Sequence, residues 1–391
     1  MRILIIHNKY QQRGGEDSVF ENESSLLKKY GNSVEQLIFS NEEIDSPISK
    51  IKAGISSIYN KSSAKKLDNK IQIFKPDIIH VHNFFPIASP SIFYESQKHN
   101  IPIVMTLHNY RLICPNALLF RDGKVCEECI NKEFAISGVM NGCYRDSKLQ
   151  TFALATMSYL HKKTKTWENR VDKYIALTNF AKNKILNSSL KLKEKQITVK
   201  PNYVNDHGFE LNKDDYLIFI GRLSKEKGVD ILLNAFKNSK RKIVIIGSGP
   251  MKDIVEEYSK NYQNIEYLGF QQMDVIIQKL KKAKALIFTS VWYEGMPMTI
   301  LESLSTGTPV ISTDIGGPAE IITNNKTGLI YKVGDVEDLQ NSIEKLYSDN
   351  DFFKNLCINA RKEFEDKFSE KQNYQQLINI YKEVIDEKKS N

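Results

Sequence analysis

The chain has 391 residues, of which 41% are hydrophobic, enough apolar material for a large core and more than one domain usually holds. No stretch approaches the roughly 18 apolar residues of a membrane-spanning helix, and Met1-Arg-Ile-Leu-Ile-Ile-His7 lacks the long apolar core and cleavage site of a signal peptide, so a cytoplasmic protein is expected. The formal net charge is +8, with lysine clusters at 61–66, 161–165 and 279–284 that read as solvated surface or as attraction to phosphates or an anionic membrane face. No nucleic-acid-binding motif accompanies them, so nucleic acid is not an expected partner.

In chain order, strand and helix signals alternate. Arg2 to His7 reads as a strand, Gly14 to about Tyr30 as a helix, and Val34 to Phe39 as a second strand. A lysine-rich helical stretch ends before Pro76, followed by a strand at Asp77 to His82, a helix at Pro86 to His99 and a strand at Pro102 to His108. This βαβα rhythm predicts a doubly wound parallel sheet. Residues 109–146 break it: they hold cysteines, a turn at Arg121-Asp-Gly-Lys124 and no sustained period, and read as an insert. Ser147 to Arg170 has the apolar content of a largely buried helix, with Phe152, Leu154, Ala155, Met157, Tyr159 and Leu160. The rhythm then resumes, and Pro201-Asn202 punctuates the chain.

A second series starts at Tyr216 to Gly221, with further strands at Lys242 to Gly247, Ile265 to Gly269, Ala285 to Ser290, Pro309 to Thr313 and Gly328 to Tyr331. The expected organisation is a Rossmann-like domain over 1–203 carrying the insert 109–146, a second over 204–368, and a charged amphipathic helix in 369–391.

The stretch Val291-Trp-Tyr-Glu-Gly-Met-Pro-Met-Thr-Ile-Leu-Glu302 follows one of these strands. Its place puts Glu294 on a loop at a strand's carboxyl end, where open α/β sheets bind ligands, and Glu302 just over two turns further on, along a helix that Pro297 opens and Gly307 closes. Carboxylates accept from ligand hydroxyls, and backbone N–H groups of Gly295, Met296 and Met298 can hold an anion. Hydroxyls plus phosphates describe a nucleotide sugar. In the loop Gly221 to Gly228, Arg222 and Lys227 flank a turn where a diphosphate can be clamped, or where surface charge simply meets water. Gly247-Ser-Gly-Pro250 and Gly316-Gly-Pro-Ala-Glu320 are further turns at the same edge.

In the first half, Gly14-Gly15 opens a helix after the first strand, as a phosphate-approaching loop or a plain turn; two glycines fall short of the full dinucleotide fingerprint. His80 and His82 share a strand face, as core-satisfied or ligand-facing residues, and His108 ends the next strand, positioned to meet a phosphate or sugar hydroxyl. Cys126-Glu-Glu-Cys129, with Cys114 before and Cys143 after, has the residue types for one structural zinc, or is four reduced thiols in an irregular insert.

With Glu294 and Glu302 in an E-x₇-E spacing, Arg222 and Lys227 in G-R-x₄-K-G, Gly14-Gly15-Glu16 and His108 in order, the chain resembles the family 4 glycosyltransferases of GT-B fold, retaining enzymes of which many build bacterial surface polysaccharides. The resemblance implies an α/β fold of two doubly wound Rossmann-like domains facing across a cleft, the terminal helix crossing back to the first. It implies that Arg222 and Lys227 hold the donor diphosphate, Glu294 the transferred sugar with Gly295 to Met298 nearby, and Glu302 the ribose. Gly15 would approach the diphosphate, His108 the donor sugar or phosphate, and Phe270 the base. Catalysis is then assigned to His108 and Glu294, without a cofactor for the chemistry. Positive charge on the anomeric carbon and a stabilised leaving diphosphate suggest same-face attack, the leaving phosphate taking the acceptor's proton. The expected partners are a nucleotide-sugar donor, probed first as a UDP-sugar, a lipid-linked or saccharide acceptor, and an anionic membrane touched peripherally. The rival readings are a nucleotide-sugar epimerase of the same fold and a non-catalytic carbohydrate- or zinc-binding scaffold.

Overall fold

The computed structural model describes residues 1–9, 14–41, 54 and 56–390. They form two compact units: the first comprises Met1–Leu119, Glu127–Pro201 and the chain from Tyr374 onward, the second Phe120–Cys126 and Asn202–Asn373.

The first unit's sheet contains β1 (Arg2–Lys9), β2 (Ser33–Ser40), β3 (Ile78–Val81) and β4 (Ile103–Leu107). After a short hairpin of β5 (Phe120–Arg121) and β6 (Lys124–Val125), β7 (Lys173–Ala176) and β8 (Ile197–Val199) complete it. All its pairings are parallel, in the order β2-β1-β3-β4-β7-β8. The inner strands β1, β3, β4 and β7 are buried on both faces, as parallel strands covered by helices must be, while the edge strand β2 is mostly half-buried or exposed. The order reverses between β1 and β3, which makes that edge the unit's topological switch point. The hairpin turn at Asp122-Gly123 has positive φ at both central residues, 53° and 77°, the twist that matches a two-residue hairpin loop.

The final helix, Glu370–Ser390, supplies part of the first unit's core. Leu377, Ile378, Ile380, Tyr381 and Val384 pack with Ile3 and Ile5 of β1, Ile78 of β3 and Val104 of β4. The helix is fastened at its rim by Lys173 Nζ to Glu383 (2.7 Å) and Lys388 Nζ to Asp172 (3.0 Å).

The stretch 147–170 differs from expectation. It forms two helices, Lys148–Lys163 and Thr166–Asn169, separated where Lys165 takes a left-handed φ of 52°. Only one face is buried, by Thr151, Leu154, Ala155, Met157 and His161, while Leu149, Phe152 and Leu160 are exposed. Apolar content alone does not reveal that half of these side chains lack a neighbouring layer. The expected helix at 86–99 is also shorter, Ser91–Lys98.

The second unit's sheet runs β11-β10-β9-β12-β13-β14, from β9 (Leu217–Ile220), β10 (Ile243–Ile246), β11 (Ile265–Tyr267), β12 (Ala285–Phe288), β13 (Val310–Thr313) and β14 (Gly328–Tyr331). All pairings are parallel. This is the order of a dinucleotide-binding sheet, with its switch point between β9 and β12. The core on one side is built from Leu217, Phe219, Ile243, Ile245, Ile287 and Ile311 of the strands against Leu232, Leu233, Phe236, Leu339 and Ile343 of the helices.

Leu377 is fully buried in the first unit's core. Its replacement by Ala is expected to lower stability by about 2–4 kcal/mol, as large-to-small core changes do. Urea unfolding checks this, with Lys389→Ala as an exposed control on the same helix.

Candidate functional site

The loops after β9 and β12 flank the second unit's switch point and are locked together. Thr289 Oγ1 donates to the Lys227 carbonyl at 2.7 Å, and Val291 N–H to the Glu226 carbonyl at 3.0 Å. Gly228 is the residue that permits this approach: its φ is +66°, and a Cβ there would lie 2.0 Å from the Thr289 carbonyl oxygen. The loop after β13 joins through Gly317, whose N–H donates to the Glu294 carbonyl at 2.9 Å. A Cβ on Gly317 would meet the Gly295 carbonyl oxygen at 1.9 Å. The turn after β10 is tied in by Leu223 N–H to the Ser248 carbonyl, 2.9 Å. The loops expected at one edge are therefore a single hydrogen-bonded assembly.

Glu294 stands at its centre, 8% exposed. Its Oε1 receives the Lys227 ammonium, the Ser290 hydroxyl (2.6 Å) and the Trp292 indole N–H (3.0 Å). Among the described residues nothing donates to Oε2, which is not among the buried atoms lacking a partner, so it remains open to an incoming donor. Ser290 and Trp292 escape a reading based on charged motifs, although both lie within four residues of Glu294. Lys227 also sits 5.8 Å from the ring centroids of both Phe288 and Trp292. Arg222, earlier in the same loop as Lys227, is exposed.

The helix after this loop begins at Met298, with Pro297 at its N-cap and Gly307, φ +66°, beyond its end. Because the helix starts there, Glu302 lies just over one turn into it, not two. Met296 and Pro297 are buried, and Asn202 N–H donates to the Met296 sulfur at 3.0 Å. Glu302 is 6% exposed, and its carboxylate makes no hydrogen bond or ion pair among the described residues. Burial pushes its carboxyl up to about 7. Phe270, after β11, is 71% exposed.

On the first unit, Gly14-Gly15 lies at the switch point after β1. Asp17 shapes the loop: Oδ2 accepts from Gly14 N–H at 2.8 Å and Oδ1 meets His7 Nε2 at 2.8 Å. Burial would raise the Asp17 carboxyl, but those two partners bring it below its ordinary value. Neither glycine has a positive φ, and a Cβ on Gly15 would meet nothing within 4 Å among the described residues. The structure thus leaves space at Gly15 where packing demands no glycine. His108 ends β4, with its Nε2 3.0 Å from His82 Nδ1. His80 is fully buried and satisfied by Tyr381 Oη (2.7 Å) and Thr106 Oγ1 (2.8 Å).

Of the four clustered cysteines, Cys114, Cys129 and Cys143 belong to the first unit and Cys126 to the second. Cys129 is buried beside Ala135 and Ala155, and Cys114, Cys126 and Cys143 are half-buried. Among the described residues, groups with three candidate ligand atoms within 4.8 Å of one another include Glu23–His80–His82 and Asp68–Glu95–His99. The cysteines are given no part in the chemistry.

Glu302 generates a pH prediction. Its folded-state carboxyl, about 7, lies above the ordinary 4.5, so the folded state binds the proton more tightly and stability falls as pH rises from about 4.5 to 7. Glu302→Gln carries no such proton. Wild type and variant are expected to match in urea unfolding near pH 4, with the variant more stable by up to about 3 kcal/mol near pH 8.

Two family models match: "Glycosyltransferase Family 4" over residues 47–207 and "Glycosyl transferases group 1" over residues 204–363. An uncharacterized glycosyltransferase of Methanocaldococcus jannaschii is 28% identical over 85% of this chain and 82% of its own. The lipopolysaccharide 1,6-galactosyltransferase of Escherichia coli is 29% identical over 48% of this chain and 56% of its own. Among solved structures, Anabaena HepE in complex with UDP superposes with a TM-score of 0.68 at 15% identity, covering 98% of this chain and 100% of that one. Together with the two doubly wound sheets, these matches show that the chain belongs to the group 1 and family 4 glycosyltransferases of GT-B fold.

Proposed function

We propose that this enzyme moves a sugar from a nucleoside-diphosphate donor, a UDP-sugar in the first instance, to a saccharide or lipid-linked acceptor in polysaccharide biosynthesis, with retention of configuration. The observation that carries the reading is Glu294 at the β9/β12 switch point: Oε1 holds three donors and Oε2 is open. A buried carboxylate with one oxygen braced and one free is suited to accept from a sugar hydroxyl. Lys227, braced on that carboxylate, and exposed Arg222 are cations for a diphosphate on the same loop. The similarity to a lipopolysaccharide galactosyltransferase and to a UDP-bound structure supports the donor and acceptor classes.

In this reading the donor diphosphate takes Lys227 as a partner and is met by Arg222 and the N-terminus of the Met298–Ser305 helix, with the backbone of Gly295 to Met298 close by. Glu302 accepts from the ribose, and exposed Phe270 lies against the base. Charge developing on the leaving diphosphate is stabilised by cations already held in position, which reorganise little during the reaction. Within the first unit, His108 and the open space at Gly15 are positions suited to meet a ligand.

Peripheral membrane contact is part of the proposal. Among the described residues no helix is long and apolar enough to cross a membrane. On the first unit, however, Ile136, Met140, Leu149 and Phe152 are all more than half exposed on two helices that pack together, and Leu160 continues the Leu149–Phe152 face at helical spacing. Exposed Arg145, Lys148, Lys163 and Lys165 flank them, the combination that suits an anionic lipid surface.

Transfer from UDP-sugars to saccharide acceptors, followed by NMR of the product's anomeric centre, tests the reaction. Glu294→Ala is expected to lower turnover by about 10²–10³-fold, and Glu302→Ala to weaken donor affinity by about tenfold with a smaller effect on turnover. Epimerised nucleotide sugar formed without acceptor, or an inverted product, contradicts the proposal. For the membrane face, Leu149→Glu/Phe152→Glu is expected to abolish flotation with anionic liposomes while leaving transfer to a soluble acceptor in place; no flotation of wild type at low salt removes that part.

A further inference from the structure

Behind His108 lies a buried group of side chains to which the proposed reaction assigns no role. Glu23, His82 and Lys200 are each no more than 2% exposed. The Lys200 ammonium bonds Glu23 Oε1, and at this depth the pair is fully withdrawn from water. Burial would raise the Glu23 carboxyl, but the groups around it together, Lys200 first among them, bring it below its ordinary value, so Glu23 is an anion. The group carries its own cation, and both nitrogens of neighbouring His80 are taken by Tyr381 and Thr106. It is organised as a hydrogen-bond network more than as a metal site.

Two atoms of the group are orphaned: Glu23 Oε2 and His82 Nε2 are buried with no hydrogen bond. They lie 3.4 Å from each other. A carboxylate oxygen only accepts, so the arrangement that serves both atoms places the His82 proton on Nε2, directed at Glu23. Burial keeps His82 neutral, well below its ordinary range, so its Nδ1 is then bare and must accept. Its partner, 3.0 Å away, is His108 Nε2, which must donate. His108 is also held neutral by burial, down to about 3, so its single proton is committed to His82. The remaining nitrogen, His108 Nδ1, makes no hydrogen bond among the described residues and is not among the buried orphaned atoms, so it reaches solvent.

We propose that Glu23 and His82 are positioning residues that fix the tautomer of His108, so that His108 presents a bare Nδ1 and receives a hydrogen bond from a saccharide hydroxyl. A diphosphate oxygen has no proton to give and is not its partner. The inference rests on the reading of this enzyme as a sugar transferase for the identity of the hydroxyl, but the tautomer itself does not depend on activity. Lys200 sets the network by keeping Glu23 ionised without competing for Oε2.

Two-bond proton–nitrogen correlation spectra of the full chain, labelled at histidine, read the tautomers; His108→Gln and His82→Asn assign the signals. The expected result at neutral pH is a protonated Nε2 and bare Nδ1 on His108, and a protonated Nε2 on His82. A proton on His108 Nδ1 overturns the proposal, whether or not the enzyme transfers sugar. Glu23→Gln, which can donate or accept at the same place, is expected to give a mixed His108 tautomer and a turnover about tenfold lower or less; an unchanged tautomer would overturn the role of Glu23. Monodeoxy donor and acceptor series then locate the hydroxyl. One analogue should react about tenfold more slowly with wild type yet show no further loss with His108→Gln, and the series containing it tells donor from acceptor. Additive losses across both series contradict the hydroxyl contact. Absence of transfer with every sugar, alongside the expected tautomer, would instead overturn the functional reading.

Discussion

The ion pair between Lys227 and Glu294 is the interaction on which the second unit's switch-point loops depend. It joins the loops after β9 and β12 across the point where strand order reverses. The pair is partly buried, so breaking it by removing Lys227 would leave a carboxylate held only by Ser290 and Trp292. It also keeps in register the two charges proposed to meet the ligand. In that proposal the cation serves a phosphate and the carboxylate a hydroxyl; without a ligand they neutralise one another, and Oε2 is left open. The neighbouring glycines serve this pairing, since side chains at Gly228 or Gly317 would push the loops apart.

The first unit solves a related problem differently. Its edge carries histidines, which are held neutral, over a buried Glu23–Lys200 pair. The terminal helix closes that interior: Tyr381 satisfies His80 while its neighbours Leu377 and Val384 fill the core beside β1 and β3. A segment more than 170 residues from the rest of the unit in sequence is therefore part of the support for its histidines. One edge is organised by exposed and half-buried charge, the other by the direction of hydrogen bonds.

Much of this was legible in the sequence. Strand periods, strand-end glycines and the E-x₇-E spacing located the second unit's loops, because parallel strands and their ligand-bearing ends are local features. Glu302 was placed on the right helix but a turn too far, since the chain between Glu294 and Pro297 is not helical and the helix opens only at Met298. The helix at 148–163 was misread as largely buried because composition does not say which face meets a second layer. Partnerships such as Lys200 with Glu23, or Trp292 and Ser290 with Glu294, were invisible because they are made by packing and carry no periodic signal.

The central claim is that the Lys227–Glu294 edge receives the nucleotide sugar. Hydrogen–deuterium exchange of the full chain with and without UDP and a UDP-sugar tests it most directly. The account predicts slowed exchange in the segments spanning Gly221 to Val229 and Ser290 to Glu302 on adding UDP, with protection at the second segment deepened by the sugar. Saturating UDP that protects neither segment, while protecting another part of the chain, would contradict it.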